Sequence, residues 1–401
     1  MVPTAENFDV VVIGGGPGGY AAALYGAAAG LSIALVEKNK LGGTCLNRGC
    51  IPAKELLETA SVVRTVAHAE QFGVSAGEPK LDFSASTKRM WSVVDQLVGG
   101  LGQLLRGRQV TILDGTGTLG ADGTVTVTGG DGSTSELTGG AVILASGSVP
   151  RTLPGFDVDG TAVLTSDEVF QLTEVPRRVA VIGGGAIGCE FASMMNDLGA
   201  EVTVLEALPQ ILPGVDGDVV KVVTRALQKR GIDIRTGVKV AGRDGGDEGA
   251  STLHLEGSGD IEVDTVVVSV GRRPSSETLG LDATAVAVDD RGFVEVDEYC
   301  RTAAEGVYAV GDLIATPGLA HVAYAEAICV IKQILGETAV PVAYDKVPWC
   351  VYCHPEVAFV GLTEEAAKEA GYDVVTSKHR WLGNGRALIV GETEGLVKVI
   401  A

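Results

Sequence analysis

The sequence predicts an α/β chain with two Rossmann-like, doubly wound domains. Two observations carry that prediction: a strand, glycine-rich turn, helix and strand occur in that order twice, and 56 of the 401 residues are glycine, about twice the ordinary share. A length of 401 residues suits two or three domains. Hydrophobic residues make up 46 % of the chain, enough for sizeable cores, which excludes a disordered chain. With 31 basic against 51 acidic side chains the net charge is −20, a field that repels nucleic acid and anionic lipid. No nucleic-acid or membrane partner is expected. The longest apolar runs, at 10–13 and 266–270, are strand-sized and far below the roughly 18 residues of a membrane helix. Residues 1–9 hold Glu6 and Asp9 and no basic residue, so the charged start of a secretory signal is missing and a cytoplasmic location is expected. Seven cysteines in such a chain do not make a secreted disulfide framework, and any disulfide is expected to serve chemistry.

Residues 8–13 form a continuous apolar run, the signature of a parallel strand buried on both faces. Gly14-Gly-Gly-Pro-Gly-Gly19 follows, then an alanine-rich helix over 21–29 and a second strand over 32–37. The second copy has a strand at 178–182, Gly183-Gly-Gly-Ala-Ile-Gly188, a helix to about 198 and a strand at 201–206. In both, an acid stands at the same offset from the first glycine, Glu37 after Gly14 and Glu206 after Gly183. Residues 115–145 alternate Thr and Val between glycine turns, as a hairpin or meander does. A similar stretch follows the second copy, with a polar turn at 244–249 and a last strand at 265–270 that ends in Gly271-Arg-Arg-Pro274. Residues 306–312 predict a buried strand ending in Asp312, followed by a helix over about 324–335. Beyond Pro348 strands alternate with a short helix, and the chain ends abruptly after a strand at 395–400.

The glycine turns have a mechanism. Glycine lets backbone approach a pyrophosphate, the helix N-terminus stabilises its charge, and the terminal carboxylate accepts ribose hydroxyls. Glu206 would repel a 2′-phosphate and no arginine follows it, which favours NAD over NADP at the second site. The most specific segment is Gly42-Gly-Thr-Cys45-Leu-Asn-Arg-Gly-Cys50-Ile-Pro-Ala-Lys54. Two thiols five positions apart before a helix at 51–60 can close a small disulfide loop, with the second sulfur near a helix N-terminus that favours its thiolate. Lys54, four residues on, can share that face. The alternative is a pair of buried reduced cysteines; the glycine-rich frame favours the redox reading.

These residues resemble the class I pyridine nucleotide-disulfide oxidoreductase family. The whole chain, including Ala145-Ser-Gly-Ser148, Gly271-Arg-Arg-Pro274, Val310-Gly-Asp312 and Leu319-Ala-His321, is similar in order to the dihydrolipoyl dehydrogenases within it. The resemblance implies two Rossmann-like FAD- and NAD-binding domains plus an incomplete α+β interface domain, with FAD-domain segments at 1–150 and 273–345, the NAD domain at 151–272 and the partial dimerisation domain at 346–401. It implies FAD at Gly14, Gly16, Gly19, Glu37, Lys38, Gly43, Thr44, Lys54, Gly117, Ser146, Gly147, Asp312, Ala320 and His321. NAD would lie at Gly183, Gly185, Gly188, Glu206, Val238, Gly271 and Arg272. Cys50 would face the flavin, Cys45 would exchange with substrate, and Lys54 would pair with Glu190, which the residues alone would leave as an exposed helix carboxylate.

The implied reaction oxidises dihydrolipoyl groups of a 2-oxo acid dehydrogenase complex and reduces NAD+, in a homodimer when the chain is full length. The family's thiol base, a His-Pro paired with a Glu, falls beyond the last residue, so the chain reads as truncated there. His354-Pro355-Glu356 is rejected as that base because it sits in the opening strand of the interface domain. A related disulfide or mercuric reductase, or a flavin-binding fragment with only diaphorase activity, is the alternative. Cys350-Val-Tyr-Cys353-His354 also spells a haem attachment pattern, which a strand-like segment in a chain without a signal makes a coincidence; as zinc ligands the three residues would still need a fourth, and no metal is expected. His68, His254 and His379 are expected to face solvent.

Overall fold

The computed structural model describes residues 6–245 and 250–401, so most of the polar turn expected at 244–249 lies outside the described residues. Two compact units result, each assembled from three stretches of chain: Met1–Pro52, Trp91–Val149 and Arg272–Tyr344 in the first, and Ala53–Met90, Pro150–Gly271 and Asp345–Ala401 in the second. Among the described residues no helix is long and apolar enough to cross a membrane.

The first unit is organised by a seven-stranded sheet. Its parallel part runs Thr111–Asp114, Ile33–Glu37, Glu6–Ile13, the end of Thr134–Leu144, and Val307–Ala309. Val10 sits between Ile33 and Ala141, and Val10, Val11 and Val12 expose no surface, which is why this run carries no polar side chain. Thr116–Leu119, Val125–Thr128 and the start of Thr134–Leu144 make the expected meander. The alternation predicts a meander over all of 115–145, but from Leu137 the chain pairs in parallel with Glu6–Ile13, and residues 141–144 are the buried centre of that pairing. The change of role follows the change of pattern, from alternating Thr and Val to the unbroken Ala141-Val-Ile-Leu144.

Helix Pro17–Ala28 packs on helix Ala320–Ile334 because glycine removes the intervening side chains. A Cβ at Gly18 would lie 2.9 Å from Val310 Cγ2 and 3.6 Å from Ala323 Cβ, and one at Gly26 would lie 3.3 Å from Ile331 Cδ1. The second helix starts four residues earlier than the sequence suggested: Leu319 is extended and its carbonyl accepts the Ala323 N–H at 3.1 Å.

The second unit repeats the parallel plan with five strands, in the order Asp233–Thr236, Glu201–Glu206, Arg178–Ile182, Thr265–Val268 and Val163–Leu164. Val240–Gly245, Ser251–Leu255 and Gly259–Val263 form a separate antiparallel sheet. Phe156, Val163, Leu205, Leu253 and Val266 share one core with both sheets. The carboxyl-terminal stretch adds two antiparallel pairs, Trp349–Val351 with Val357–Phe359 and Thr376–Arg380 with Leu396–Ile400, together with helices Glu364–Glu369 and Gly385–Val390.

Lys398 fastens that stretch to the nucleotide-type sheet. Its side chain is 5 % exposed, and its Nζ lies 2.7 Å from Asp216, 2.8 Å from Asp218 and 2.7 Å from Glu364. Asp216 also caps helix Gly217–Lys229 by accepting the Asp218 N–H at 3.0 Å. Lys378 and Lys398 hold the Asp218 carboxyl down at about 2, and Lys368 and Lys398 do the same for Glu364. Replacing Lys398 by Met leaves these carboxylates facing one another. Because two of them keep contact with water the effect is modest, and the variant is less stable than wild type in chemical denaturation at pH 7. Depressed carboxyl values stabilise the fold above their unfolded value, so the gap between wild type and variant is full above 4.5, the ordinary Glu value, and closes as the pH falls to about 2. Coincident denaturation curves at pH 7 would contradict this role for Lys398.

Candidate active site

The two glycine turns have the same construction. Gly14 has φ +108° and Gly183 φ +104°, and a Cβ on either would strike the carbonyl of the neighbouring strand, Ala145 or Ser269. Gly19 and Gly188 lie directly over the carbonyls of Gly14 and Gly183, leaving no room for a side chain. Gly16 and Gly185 differ, because their φ values of −74° and −71° suit any residue and their hypothetical Cβ atoms meet little or nothing: Gly43 Cα at 3.8 Å for Gly16, nothing within 4 Å for Gly185. Each is the N-cap of a helix, Pro17–Ala28 or Ala186–Asp197, that no side chain caps. The acids close the motif identically. Glu37 accepts the Gly15 N–H at 2.7 Å and the Asn39 N–H at 2.8 Å; Glu206 accepts the Gly184 N–H at 2.7 Å and the Leu208 N–H at 2.8 Å. Each carboxylate oxygen retains lone-pair capacity for a ribose hydroxyl. Uncapped N–H groups, a side-chain-free approach and an oriented carboxylate together fit a dinucleotide.

Cys45 and Cys50 form a disulfide, with Cα atoms 4.6 Å apart. Cys45 lies in the short helix Gly43–Arg48 and Cys50 opens helix Cys50–Ala67, longer than the 51–60 expected. Three hydrogen bonds fix the segment. The Gly42 N–H donates to the Gly15 carbonyl at 2.8 Å, which ties the redox loop to the first glycine turn. Buried Asn47 donates to the carbonyls of Leu41 at 2.9 Å and Gly43 at 3.0 Å. Gly42, at φ +93°, permits the turn into the short helix.

Four residues after Cys50, Lys54 donates to both oxygens of Glu190, at 3.0 and 2.8 Å. Glu190 is buried on helix Ala186–Asp197 and not on the exposed face that its residue type alone suggests. It also accepts the Tyr352 N–H at 2.9 Å, and the Lys54 Nζ lies 4.6 Å from the Tyr352 ring centroid.

Residues 8–327 match the pyridine nucleotide-disulphide oxidoreductase family and residues 347–401 match its dimerisation domain. The chain belongs to this family. It is 41 % identical over 410 residues to the dihydrolipoyl dehydrogenase of Bacillus subtilis, covering 99 % of this chain and 86 % of the relative. To that of Thermus scotoductus it is 41 % identical over 402 residues, covering 98 % and 85 %. Among solved structures, LpdA from Mycobacterium tuberculosis superposes with a TM-score of 0.92 at 26 % identity, over 99 % of this chain and 87 % of that one. The HOCl-induced flavoprotein disulfide reductase RclA of Escherichia coli, as its Cu(II) complex, gives 0.88 at 28 % identity over 99 % and 86 %. Members of the pyridine nucleotide-disulphide oxidoreductase family use FAD and NAD(H).

Other residues singled out in the sequence take distinct places in this oxidoreductase. Asp312 accepts from Ser148 Oγ at 2.6 Å, and Arg272 donates to the same hydroxyl at 2.7 Å, lying 3.8 Å from the Asp312 carboxylate. Arg272 thus lies beside Asp312, both in the first unit. Ser146 donates to the Ser275 carbonyl at 2.9 Å beside Gly147, and Gly117 faces Ile13 and Val36 at the strand ends. Thr44 lies in the Cys45 helix, Lys38 is exposed, and Ala320 and His321 open their helix. Val238 donates its N–H to the Glu206 carbonyl at 3.0 Å, and Gly271 accepts from Arg151 at 3.0 Å.

Glu326 carries no signal in the sequence. Fully buried, it accepts the Gly311 N–H at 2.7 Å and the hydroxyls of Thr316 at 2.8 Å and Tyr344 at 3.0 Å, so it holds the turn that presents Asp312, and burial raises its carboxyl. Cys350 is exposed and Cys353 fully buried, so the Cys-x-x-Cys-His spelling does not gather its three ligands. Burial, Arg64 and Arg230 push His354 down to about 4, leaving it neutral at physiological pH. His68 and His379 are exposed, and His254 bonds Asp244 and Asp260 at 3.0 Å each at the surface.

The two kinds of glycine separate folding from binding. Gly188→Ala collides with the Gly183 carbonyl and lowers the melting temperature. Gly185→Ala melts within the range of about 0.5 kcal/mol typical of a surface change yet weakens NADH binding at least about tenfold, the equivalent of ~1.4 kcal/mol. Thermal melts and NADH fluorescence titrations measure both; unchanged NADH affinity in Gly185→Ala would remove the phosphate approach from this turn.

Proposed function

We propose that this chain oxidises dihydrolipoyl dithiols and reduces NAD+ through FAD and the Cys45–Cys50 disulfide. The observation that carries the reading is that disulfide, bonded by its own loop to the first glycine turn. In this reading Gly14, Gly16, Gly19 and Glu37 hold the adenosine and pyrophosphate of FAD, with Asp312 toward its ribityl chain, and Gly183, Gly185, Gly188 and Glu206 hold NAD. When bound, FAD supplies a two-electron acceptor for thiols and NAD+ a final hydride acceptor.

The chain's own residues carry the thiol chemistry. A substrate thiolate attacks Cys45 Sγ, the Cys45–Cys50 bond breaks, and Cys50 leaves as a thiolate. The second substrate thiolate then displaces Cys45 from the mixed disulfide, giving a cyclic substrate disulfide and a two-electron-reduced cysteine pair. Cys50 suits the leaving role because it begins helix Cys50–Ala67, whose N-terminus stabilises negative charge. Lys54 adds a positive charge one turn along the same helix, and Glu190 keeps that ammonium oriented. Glu206 would face a 2′-phosphate carboxylate to phosphate, which supports NAD over NADP.

We further propose a homodimer formed through the dimerisation-domain segment, a lipoyl domain of a 2-oxo acid dehydrogenase complex as the macromolecular substrate, and a cytoplasmic location.

The assay is NADH formation from dihydrolipoamide, set against NADPH oxidation with glutathione disulfide. NAD+ is expected to be preferred at least about a hundredfold in kcat/KM, since like charges opposed in a site cost several kcal/mol. Cys45→Ser and Cys50→Ser should each reduce dihydrolipoamide oxidation by about a thousandfold or more, because neither can form the disulfide. Ferricyanide reduction by NADH, which needs no thiol, should stay within severalfold of wild type. Preferential NADPH use, or full dithiol activity in Cys50→Ser, would overturn the reading.

A further inference from the structure

The Cys350-Val-Tyr-Cys-His354 segment, which matches no ligand set, lies on one face of helix Ala186–Asp197. Glu190, Ser193 and Asp197 recur at the spacing of that face. Glu190 accepts the Tyr352 N–H at 2.9 Å, Ser193 Oγ accepts the His354 N–H at 2.9 Å, and the His354 carbonyl accepts Arg230 Nη1 at 2.6 Å. Arg230 also donates to the Ser193 carbonyl at 2.9 Å and pairs with Asp197 at 2.5 Å, and Arg64 reaches the same Asp197. Two N–H groups and one carbonyl of the segment thus have side-chain partners on this helix or on Arg230. Tyr352 is thereby fixed with its N–H on the Glu190 carboxylate and its ring 4.6 Å from the Lys54 ammonium.

We propose that Tyr352 is a positioning residue for the Lys54–Glu190 pair: its N–H orients the carboxylate and its ring face holds the ammonium in place. The proposal rests on the reading of Lys54 as part of the redox site. Two contacts on different partners make it more than packing. The N–H occupies one lone pair of Glu190 Oε1 while both carboxylate oxygens meet Nζ. The aromatic ring presents its negative face to the Lys54 ammonium, 4.6 Å from the centroid, an attraction that an aliphatic side chain does not offer. Two thiols lie within reach of the Glu190 charge. Burial and the Glu190 charge push Cys353 up to about 12, and burial raises Cys189 well above its usual value, so both are neutral.

The test is the pH profile of Lys54 modification by an amine-reactive reagent in the full flavin-containing chain, read by peptide mass analysis. Loss of the ring in Tyr352→Leu is expected to move the profile to lower pH, so that below its midpoint Lys54 reacts about two- to fivefold faster. Greater access alone would raise the rate equally at every pH. Tyr352→Phe keeps the ring and is expected to reproduce the wild-type profile. Glu190→Gln moves it further than Tyr352→Leu. If Tyr352→Leu does not fold, Tyr352→Met replaces it, keeping bulk without a ring. A profile in the ring-less variant that coincides with wild type, or one in Tyr352→Phe displaced as far as in Tyr352→Leu, overturns the proposal while a displaced Glu190→Gln leaves the ion pair standing. An undisplaced Glu190→Gln overturns the ion pair itself and with it the reading on which the proposal rests.

Discussion

Everything chemical in this chain is hung on backbone approaching backbone where a strand turns into a helix. At Gly14 and Gly19 the chain folds over its own carbonyl with no space for a methyl group, and at Gly183 and Gly188 it does so again. The constraint sets the direction of the following helix, and with it where an uncapped row of N–H groups points. It also sets where the next strand must end. Glu37 and Glu206 each spend two hydrogen bonds on the turn, to Gly15 and Asn39 or Gly184 and Leu208, before any ligand is considered. The acid is therefore part of the turn's architecture as well as a recognition element, and a preorganised carboxylate loses little freedom when a ribose arrives.

The redox loop inherits its position from the first of these turns. A single bond from the Gly42 N–H to the Gly15 carbonyl, with Gly43 close against Gly16, means that a shift of the glycine turn is a shift of the disulfide. Buried Asn47 does for this loop what a cap does for a helix: it satisfies two carbonyls that would otherwise be desolvated without a donor. Rigid attachment matters for thiol exchange, where the attacking, central and leaving sulfurs must come into line and small displacements are costly.

Legibility in the sequence followed the range of the interaction. The two turns, their acids and the cysteine pair are set by neighbours within about a helix and a strand of one another, so spacing alone exposed them. Lys54 and Glu190 stand 136 positions apart, and Lys398 stands 182 from Asp216. No local pattern links such residues, and only the family resemblance suggested the first pair. Glu326 was invisible for a related reason: a carboxylate in an apolar helix looks like a surface residue until the Gly311 N–H and two hydroxyls are seen to converge on it. The strand Thr134–Leu144 was half-read because it belongs to two sheet environments, and its alternating part dominated the apolar part that forms the centre of the parallel sheet.

The segment around Tyr352 marks the limit of spelling as evidence. Cys350, Cys353 and His354 satisfy a ligand pattern on paper, yet strand Trp349–Val351 ends before Cys353, and beyond it the chain bends, so one thiol meets water and the other the core. What the pattern omits is the backbone. The N–H groups of Tyr352 and His354 and the carbonyl of His354 are the groups that engage Glu190, Ser193 and Arg230, and any residue but proline can supply an N–H. A helix face spaced Glu190, Ser193, Asp197 reads as ordinary polar surface until an extended segment is laid along it. The functional content of this stretch therefore lies in where its main chain is held and in the one aromatic ring that the main chain delivers to Lys54, neither of which a side-chain motif can encode.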